Sequence, residues 1–388
     1  MRILELCTSP DSGGLELYMT RACVALAAAG DQVRAVVAPV SRIAERLRQH
    51  NIELDTLAFR FAPLPLVAAR RLAKLIDQHE IEAIHLHWGR DLPLAALAKH
   101  FSVRSPRLVY TRHMQITRSK RDLYHRWLYR QVDLLLTITE TMTTKVRESL
   151  DEQMSTRVQT LYHGAPAVAV AITDQQRQQL RRGWGVAEDA VVVGLFSRLE
   201  EPKGQHLLIE ALRRARDEGV ALHGLIVGHV MDPEYVSALQ AKIETLGLAN
   251  KVHFEGFSND IQQWMQACDI VALTTREETF GLVLIEAMRA AVAVVGSDRG
   301  GVPEIIRHQQ NGLLFRSGDA EDLYGQLRRL ALDRTLRDGL AVAGQQDADL
   351  RFNDETHFCA LRNYLHGATG DIVRQQNVIA ACRRAADE

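Results

Sequence analysis

The chain has 388 residues, of which 46% are hydrophobic and 24% are charged, and its net charge is -1. This length exceeds one ordinary hydrophobic core and predicts two domains. No stretch approaches the ~18 consecutive apolar residues that a membrane-spanning helix needs. The start, MRILELC, lacks the pattern of a signal peptide, so we expect a cytoplasmic protein.

The near-zero net charge hides an asymmetry between the two halves. Residues 1–165 carry 23 Lys and Arg against 17 Asp and Glu, a balance of +6, and the remainder carries 24 against 31, a balance of -7. This difference predicts different partners for two lobes. Five scattered cysteines without C-x-x-C spacing favour reduced thiols over a disulfide framework or a zinc site.

The first half alternates β-type runs with helical patterns, which is typical of a parallel α/β sheet. It opens with the strand RILELC, a turn at Gly13 and Gly14, and a helix that ends at Gly30. The alternation continues through QVRAVVAP, IEAIHLHW, LPLAALAKHF, RLVYTRH, LYHRWLYRQ, VDLLLTIT and RVQTLYHG. We therefore predict a Rossmann-like domain over residues 1–168.

A second series of the same kind follows residues 164–178, which show no clear period and predict a linker. Its strands are predicted at AVVVGLFSRL, ALHGLIVG, KVHFEGF, CDIVALTT and AVAVVGSD, with helices between them and from Asp319 onward. This predicts a second Rossmann-like domain over residues 169–353. Residues 354–388 are predicted to be helical and to cross back to the first domain.

Open α/β sheets bind ligands at the carboxyl ends of their strands, where the stretch EETFGLVLIEAM is predicted to lie. Gly281 begins a helix whose free N–H groups suit a phosphate. Glu278 and Glu286 would stand roughly 12 Å apart if both were helical. A glycosidase needs its two carboxylates within about 5–9.5 Å, so two separate hydroxyl acceptors along one ligand fit better. The alternative is two solvated or helix-face charges.

Two further strand ends carry candidate ligand groups. Arg198 and Lys203, in SRLEEPKG, could both bind a diphosphate, or they could be surface charges paired with neighbouring glutamates. His113, in YTRH, could contact a phosphate or a sugar hydroxyl, or be structural. His85 and His87 lie on one strand face, where packing or substrate lining is favoured over metal binding, and we expect no metal.

Residues 104–130 carry eight basic side chains, interleaved with Tyr124, Trp127 and Tyr129, and a single acid, Asp122. This composition suits anionic lipid headgroups or an acidic acceptor, and a solvated helix face is the alternative. The side chains predicted to make this contact are Arg118, Lys120, Arg121 and Trp127. We do not expect nucleic-acid binding, because the domain is not strongly basic overall.

These pieces together resemble the retaining GT-B glycosyltransferases of family 4. The resemblance rests on E-x7-E within EETFGLVLIEAM, joined in order to SRLEEPKG, NGLLF and SDRGGVPEII, with GG-x-E at Gly13, Gly14 and Glu16. It covers most of the chain. It implies an α/β fold of two Rossmann-like domains that face each other across a cleft.

The resemblance also implies roles for individual residues. Glu278 would hold hydroxyls of the donor sugar, and Glu286 would bind the nucleotide ribose. The sugar and diphosphate would meet the segment of Thr279, Phe280, Gly281 and Leu282. This loop departs from the family at Thr279, where a Gly is common.

The remaining roles concern the diphosphate and the acceptor. Arg198 and Lys203 would neutralise the leaving diphosphate, and Gly13 and Gly14 would let the first-domain loop approach it. His113 would approach the donor sugar and the acceptor. The chain departs from the family at two further places. His163-Gly164 stands for Asn-Gly at the end of the first domain, and Gly228-His229-Val230-Met231 stands for Gly-x-Gly-Pro, which concerns the placement of the nucleotide.

The function implied is transfer of a sugar from a nucleotide-sugar, expected to be a UDP-sugar, to a glycan or lipid-linked acceptor. We expect it to proceed with retention and without a metal, in envelope polysaccharide or lipopolysaccharide biosynthesis, at the inner face of the cytoplasmic membrane. One alternative is a nucleotide-sugar epimerase or a synthase with a small soluble acceptor. Another is a non-catalytic sugar- or nucleotide-binding module.

Overall fold

The computed structural model describes residues 1–10, 13–58, 63–187, 189–256 and 261–368. Its contacts divide the chain into two compact units, one of Met1–Tyr162 with the segment from Glu355 onward, and one of His163–Asp354. Residues 369–388 of the predicted C-terminal segment lie outside the described residues. Within the described residues, no helix combines the length and the apolar character needed to cross a bilayer.

The first unit is built on a seven-stranded sheet in which every pair is parallel, in the order β3-β2-β1-β4-β5-β6-β7. Its strands are β1 (Arg2–Cys7), β2 (Gln32–Val37), β3 (Glu53–Thr56), β4 (Ala83–Leu86), β5 (Arg107–Arg112), β6 (Leu134–Thr137) and β7 (Val158–Thr160). The central strands are buried on both faces, which explains their nearly continuous apolar runs. The strand order reverses between β1 and β4.

Helices cover this sheet. They are α1 (Gly14–Ala28), α2 (Ala44–Gln49), α3 (Leu66–Gln78), α4 (Leu92–Phe101), α5 (Leu123–Arg130), α6 (Glu140–Ser149) and α7 (Glu152–Ser155). A helical connection follows each strand and returns the chain to the end of the sheet where the strands begin. Consecutive strands therefore run parallel.

The second unit repeats the plan with a six-stranded parallel sheet in the order β10-β9-β8-β11-β12-β13. Its strands are β8 (Val191–Phe196), β9 (Leu222–Val227), β10 (Val252–Glu255), β11 (Ile270–Leu273), β12 (Ala293–Ser297) and β13 (Leu313–Phe315). Its helices are α8 (Asp174–Gly183), α9 (Gln205–Asp217), α10 (Pro233–Thr245), α11 (Ile261–Ala267), α12 (Leu282–Arg289), α13 (Val302–Ile305), α14 (Ala320–Leu332) and α15 (Arg334–Arg351). Here the order reverses between β8 and β11.

The predicted linker over residues 164–178 is partly wrong, because α8 begins within it. The Thr173 side chain accepts a hydrogen bond from the backbone N–H of Gln176, and the Gln176 side chain accepts one from the N–H of Thr173. This reciprocal cap stabilises the helix start. The helix buries none of its residues, so it carries no apolar period from which it could be predicted.

The last described helix, α16 (Asp354–Leu365), returns the chain to the first unit. Asp31, whose side chain is fully buried, bonds the Met1 ammonium at 3.0 Å, Arg362 at 2.6 Å and His366 at 3.0 Å. Burial opposes the ionisation of Asp31, yet the bonds from Arg362 and the N-terminus hold the pKa of this carboxyl below its usual value. These contacts fasten the returning helix beside the start of β2.

Candidate active site

The carboxyl ends of β8 and β11 form the point in the second sheet where the strand order reverses. The two strands pair directly, Ile270 with Val193 and Val271 with Gly194. Their exit segments, residues 197–204 and 274–281, therefore start side by side. In open parallel sheets this is the position at which ligands bind.

Lys203 and Glu278 are brought together here, with Lys203 Nζ 2.9 Å from Glu278 Oε2 and both side chains about four-fifths buried. The main chain holds them in place. The Thr274 hydroxyl donates to the Lys203 carbonyl at 2.7 Å. Gly204 adopts a φ of +73°, and a Cβ at that position would overlap the Thr274 carbonyl oxygen. Only glycine lets the two exit segments approach this closely.

Glu278 is held by its backbone as well as by its side chain. The N–H of Gly301 donates to the Glu278 carbonyl at 2.8 Å, and the N–H of Thr279 donates to Glu278 Oε1 at 3.2 Å. Gly300, with a φ of +66°, packs so closely that a Cβ would overlap the Glu278 carbonyl oxygen. A carboxylate has about four lone-pair sites, so the two bonds from Lys203 and Thr279 leave capacity for ligand hydroxyls.

Arg198 is placed differently from Lys203. Its side chain is 58% exposed and pairs with Glu200 at 2.9 Å. This arrangement matches the alternative that Arg198 is a surface charge paired with a neighbouring glutamate. Its backbone, however, is held by Gln205, whose Nε2 donates to the Arg198 carbonyl at 2.8 Å and to Ser197 Oγ at 3.0 Å. Gln205 is fully buried. Sequence reasoning missed it, because a glutamine at a helix start is usually solvated.

The segment that follows Glu278 presents backbone atoms to the strand end. Gly281, with φ +106° and ψ 46°, is the residue that precedes α12. The Phe280 ring is buried, and its centroid lies 5.6 Å from that of His163 and 6.1 Å from that of Phe352, both in edge-on packing. The ring therefore anchors the loop, and only the backbone of Phe280 is left to meet a ligand. His163 is thus accommodated as an aromatic partner of this loop.

Leu282 and Glu286 lie one turn apart on α12, and both are half-buried.

At the end of the neighbouring strand β9, Gly228 has a φ of +157°, and a Cβ there would overlap the Ser197 carbonyl oxygen. The first glycine of the altered Gly228-His229 motif is therefore required by the close approach of two chain segments. The departures from the family at His229, Val230 and Met231 do not change this requirement for glycine at position 228.

In the first unit, the reversal of strand order between β1 and β4 brings Thr8 and Asp91 together. Thr8 donates from its N–H to Asp91 Oδ2 at 2.8 Å and from its hydroxyl to Oδ1 at 2.5 Å. Burial raises the pKa of Asp91 to about 7, although both Thr8 bonds oppose this. The two bonds hold the first residue after β1. Gly13 and Gly14, further along the chain, are exposed at the start of α1.

Three fully buried ionisable side chains, Glu5, His85 and His87, lie close together on and just after the neighbouring strands β1 and β4. Glu5 accepts hydrogen bonds from His87 Nε2 at 2.5 Å and from His85 Nδ1 at 3.0 Å, and His85 Nε2 lies 2.8 Å from Thr111 Oγ1. Burial would raise the pKa of Glu5, but the two histidines lower it to about 2. The three ligand-type atoms lie within 4.8 Å of one another, so the absence of a metal stays a prediction. The histidine pair is evident in the sequence, whereas Glu5, the acid of β1, was not predicted as a candidate.

His113 lies beside this cluster. Its ring stacks on His87 at 5.7 Å and meets the edge of Tyr18 at 4.9 Å. Burial lowers the pKa of His113 well below its usual value, and His87 and His85 add to the effect. A neutral imidazole can donate or accept one hydrogen bond at each nitrogen, which suits contact with a hydroxyl or a phosphate.

His357, on α16, joins Tyr18 to the end of the first unit. Its Nδ1–H donates to the Tyr162 carbonyl at 2.7 Å, so Nε2 accepts from the Tyr18 hydroxyl at 2.8 Å. Burial lowers the pKa of His357 to about 3, although the bond to Tyr162 opposes this. Only the neutral ring can make both bonds.

Stability should therefore fall as the pH is lowered from about 6.5. A histidine with a depressed pKa contributes fully above its unfolded value of about 6.5 and loses its contribution as the pH falls toward the folded value. His357 alone should remove up to ~1.4 kcal/mol per pH unit in this window. Urea unfolding of the wild type and of His357→Gln, between pH 7.5 and 4.5, should give a flatter pH dependence for the variant. An equal slope would contradict this, and exposed His50→Gln should match the wild type.

The predicted acceptor contacts of the basic stretch are only partly available. Arg121 donates to the carbonyls of Leu150 at 3.0 Å and Glu148 at 2.6 Å, at the end of α6. Trp127 is half-buried, and its ring packs edge-on against that of His100, with 6.1 Å between the ring centroids. Lys120 lies within 3.3 Å of His125 Nε2, and Arg118 is exposed.

Two family descriptions match the chain, one on each half. "Glycosyltransferase Family 4" matches residues 12–167, and "Glycosyl transferases group 1" matches residues 176–347. The chain is 23% identical over 357 residues to the N-acetyl-alpha-D-glucosaminyl L-malate synthase of Bacillus anthracis, a match that covers 89% of this chain and 92% of that protein. It is 30% identical over 167 residues to the lipopolysaccharide core biosynthesis glycosyltransferase LpsE of Rhizobium meliloti, a match that covers 43% of this chain and 47% of that protein.

Among solved structures, the chain is similar to HepE of Anabaena in complex with UDP. The TM-score is 0.84 and the identity 26%, and the match covers 95% of this chain and 100% of that one. The same protein in complex with UDP-glucose gives a TM-score of 0.81 with the same identity and coverage. The prediction of two Rossmann-like α/β domains is thereby confirmed.

Proposed function

The chain belongs to the group 1, family 4 glycosyltransferases with the GT-B fold, and we propose that it transfers a sugar from a UDP-sugar to an acceptor hydroxyl. We further propose that the transfer retains the anomeric configuration and needs no metal. The Lys203–Glu278 pair at the reversal point of the second sheet carries this proposal. It provides one cation and one hydroxyl acceptor where such a sheet binds its ligand.

The chemistry of the pair fits a nucleotide-sugar. An ammonium group has three donors, and Lys203 uses one of them on Glu278, so two can reach the diphosphate oxygens. Glu278 would accept from hydroxyls of the donor sugar. The N–H groups at the start of α12, after Gly281, would meet the diphosphate, and Glu286, one turn further along, would accept from the ribose. The UDP and UDP-glucose complexes of HepE support uracil as the base of the donor nucleotide.

The step that must be stabilised is departure of the diphosphate. The bond between the anomeric carbon and the diphosphate oxygen breaks, and a bond to the acceptor oxygen forms on the same face of the sugar. The acceptor proton passes to the departing diphosphate. Negative charge grows on that group during the reaction, and a cation fixed beside it, such as Lys203, lowers the barrier.

The acceptor would bind to the first unit, close to His113. The similarity to LpsE supports an envelope-glycan acceptor, presented at a membrane surface that Arg118 and Lys120 would contact. The similarity to the N-acetyl-alpha-D-glucosaminyl L-malate synthase spans more of the chain and supports a small soluble acceptor instead. Either acceptor would use the same donor site.

A panel of UDP-, GDP- and ADP-sugars, examined by thermal shift and by release of the nucleoside diphosphate, tests the proposal. We expect a UDP-sugar to raise the melting temperature and to be hydrolysed slowly without acceptor. Glu278→Ala should abolish hydrolysis, because the donor sugar loses its hydroxyl acceptor. Glu210→Ala, which removes a surface glutamate paired with Lys242 and Arg213, should leave it unchanged.

Each rival function has its own signature in this experiment. Binding of a UDP-sugar without any turnover would indicate a binding module. A new nucleotide-sugar, seen by NMR in place of free sugar and UDP, would indicate an epimerase. If the panel gives neither binding nor turnover, the proposed activity is wrong.

A further inference from the structure

Half of the eight basic side chains of residues 104–130 are paired with an acid or bonded to a backbone carbonyl within the first unit. Arg104 pairs with Glu80 at 3.6 Å and Arg126 with Asp151 at 3.3 Å. Arg107 donates to the Tyr364 carbonyl at 3.2 Å, and Arg121 donates to the carbonyls at the end of α6. These four cations therefore already have partners within the first unit.

Three cations close to the end of β5 are not paired with an acid in the part of the chain that the structure describes, although Lys120 Nζ lies 3.3 Å from His125 Nε2. Among the described residues, no carboxylate lies within the 4.0 Å ion-pair distance of Arg112, Arg118 or Lys120. Arg112 donates only to neutral oxygens, the Tyr110 hydroxyl at 3.2 Å and the Gln115 carbonyl at 3.0 Å.

Arg112 and Arg118 both lie within electrostatic range of Lys120. Burial, then Arg118, then Arg112 lower the pKa of Lys120, and only Asp122 opposes them. Arg112 and Lys120 are both half-buried, so solvent screens their charges incompletely. An anion bound among them would relieve this repulsion.

The position of the cluster is as informative as its charge. Arg112 is the last residue of β5, and His113 follows it directly. The cluster thus lies at the carboxyl edge of the first sheet, next to the imidazole that the proposed function places beside the acceptor. Guanidinium groups bind phosphate through two parallel N–H bonds, and an ammonium adds a point charge.

We propose that Arg112, Arg118 and Lys120 bind a phosphate group of the acceptor. This rests on the proposed function only in identifying the bound molecule as the acceptor. The phosphate belongs either to a soluble phosphorylated acceptor or to the headgroup of a lipid, and the chemistry of recognition is the same. Arg121 and Trp127 drop out as principal contacts, because their side chains are engaged within the fold.

Binding of methyl phosphate, followed by phosphorus NMR with saturating UDP present, tests this assignment. UDP occupies the donor site, so any remaining phosphate binding reports on another one. We expect the double variant Arg118→Gln, Lys120→Gln to weaken binding about tenfold or more, since two charge-assisted contacts are lost. Arg130→Gln is the matched control, because Arg130 is an exposed cation at the end of α5.

A parallel arm uses vesicles that contain an anionic phospholipid, with sedimentation at low salt. Vesicle binding that is lost in the double variant and kept in Arg130→Gln would assign the phosphate to a lipid, and methyl phosphate binding with the same pattern to a soluble acceptor. If UDP binds but neither probe does, or if both variants weaken binding equally, the site is refuted. Failure of UDP itself to bind would instead count against the proposed function.

Discussion

Lys203→Met should lower the turnover of UDP-glucose, measured as UDP release, by about a thousandfold. Removal of one preorganised group that stabilises developing charge commonly costs 10²–10³-fold in rate. Lys203 is about four-fifths buried, and the loop contacts of Thr274 and Gly204 hold it 2.9 Å from Glu278. Its ammonium group is therefore already positioned before the reaction begins. Affinity for UDP should fall much less than turnover, because the growing charge appears only as the bond breaks.

Lys242→Met is the control for this substitution. Lys242 also pairs with a glutamate, Glu210, at 2.5 Å, but it lies on the surface of α10 and away from the strand ends. Its removal should leave turnover unchanged. Lys203→Met should also lower the free energy of unfolding, because the mostly buried Glu278 carboxylate loses its cation. Wild-type turnover in a folded Lys203→Met protein would show that the pair has only a structural role.

Gly300→Ala should lower turnover by about a hundredfold and also destabilise the second unit. The alanine Cβ would overlap the Glu278 carbonyl oxygen, and the backbone at a φ of +66° cannot turn it away. The loop that carries Glu278 must then shift, and a displacement of about 1 Å at a reacting group can cost 10²-fold. Turnover of UDP-glucose and the thermal unfolding midpoint measure the two effects.

Gly219→Ala is the control that distinguishes the effect of the overlap at Gly300 from the effect of backbone strain alone. Gly219 has a φ of +71°, but a Cβ there would meet no atom within 4 Å. It should lose only the 1–2 kcal/mol that a left-handed backbone costs a residue with a Cβ, and its turnover should be normal. If the two alanine variants lose stability and turnover equally, close packing on Glu278 is not the reason why Gly300 is required.

The alternation of strands and helices was predictable because it depends on neighbours in sequence. Strands such as β4 are buried on both faces and read as short apolar runs, while α9 shows its buried stripe at helical spacing. The ordered motifs around Lys203, Glu278 and Gly281 likewise lie where loops follow strands. Helix α8 escaped prediction, since it buries nothing and has no apolar stripe.

The sequence by itself determined the two α/β sheets, the family and the loops that hold the candidate residues, because burial patterns and turn residues act locally. Only the tertiary structure decided which of those residues meet. Lys203 reaches Glu278 across 75 positions because β8 and β11 pair, whereas Arg198, on the same loop as Lys203, turns to Glu200. Glu5 reaches His85 and His87 for the same reason, since β1 pairs with β4. The order of strands in a sheet joins residues far apart in sequence, and no local pattern contains that order.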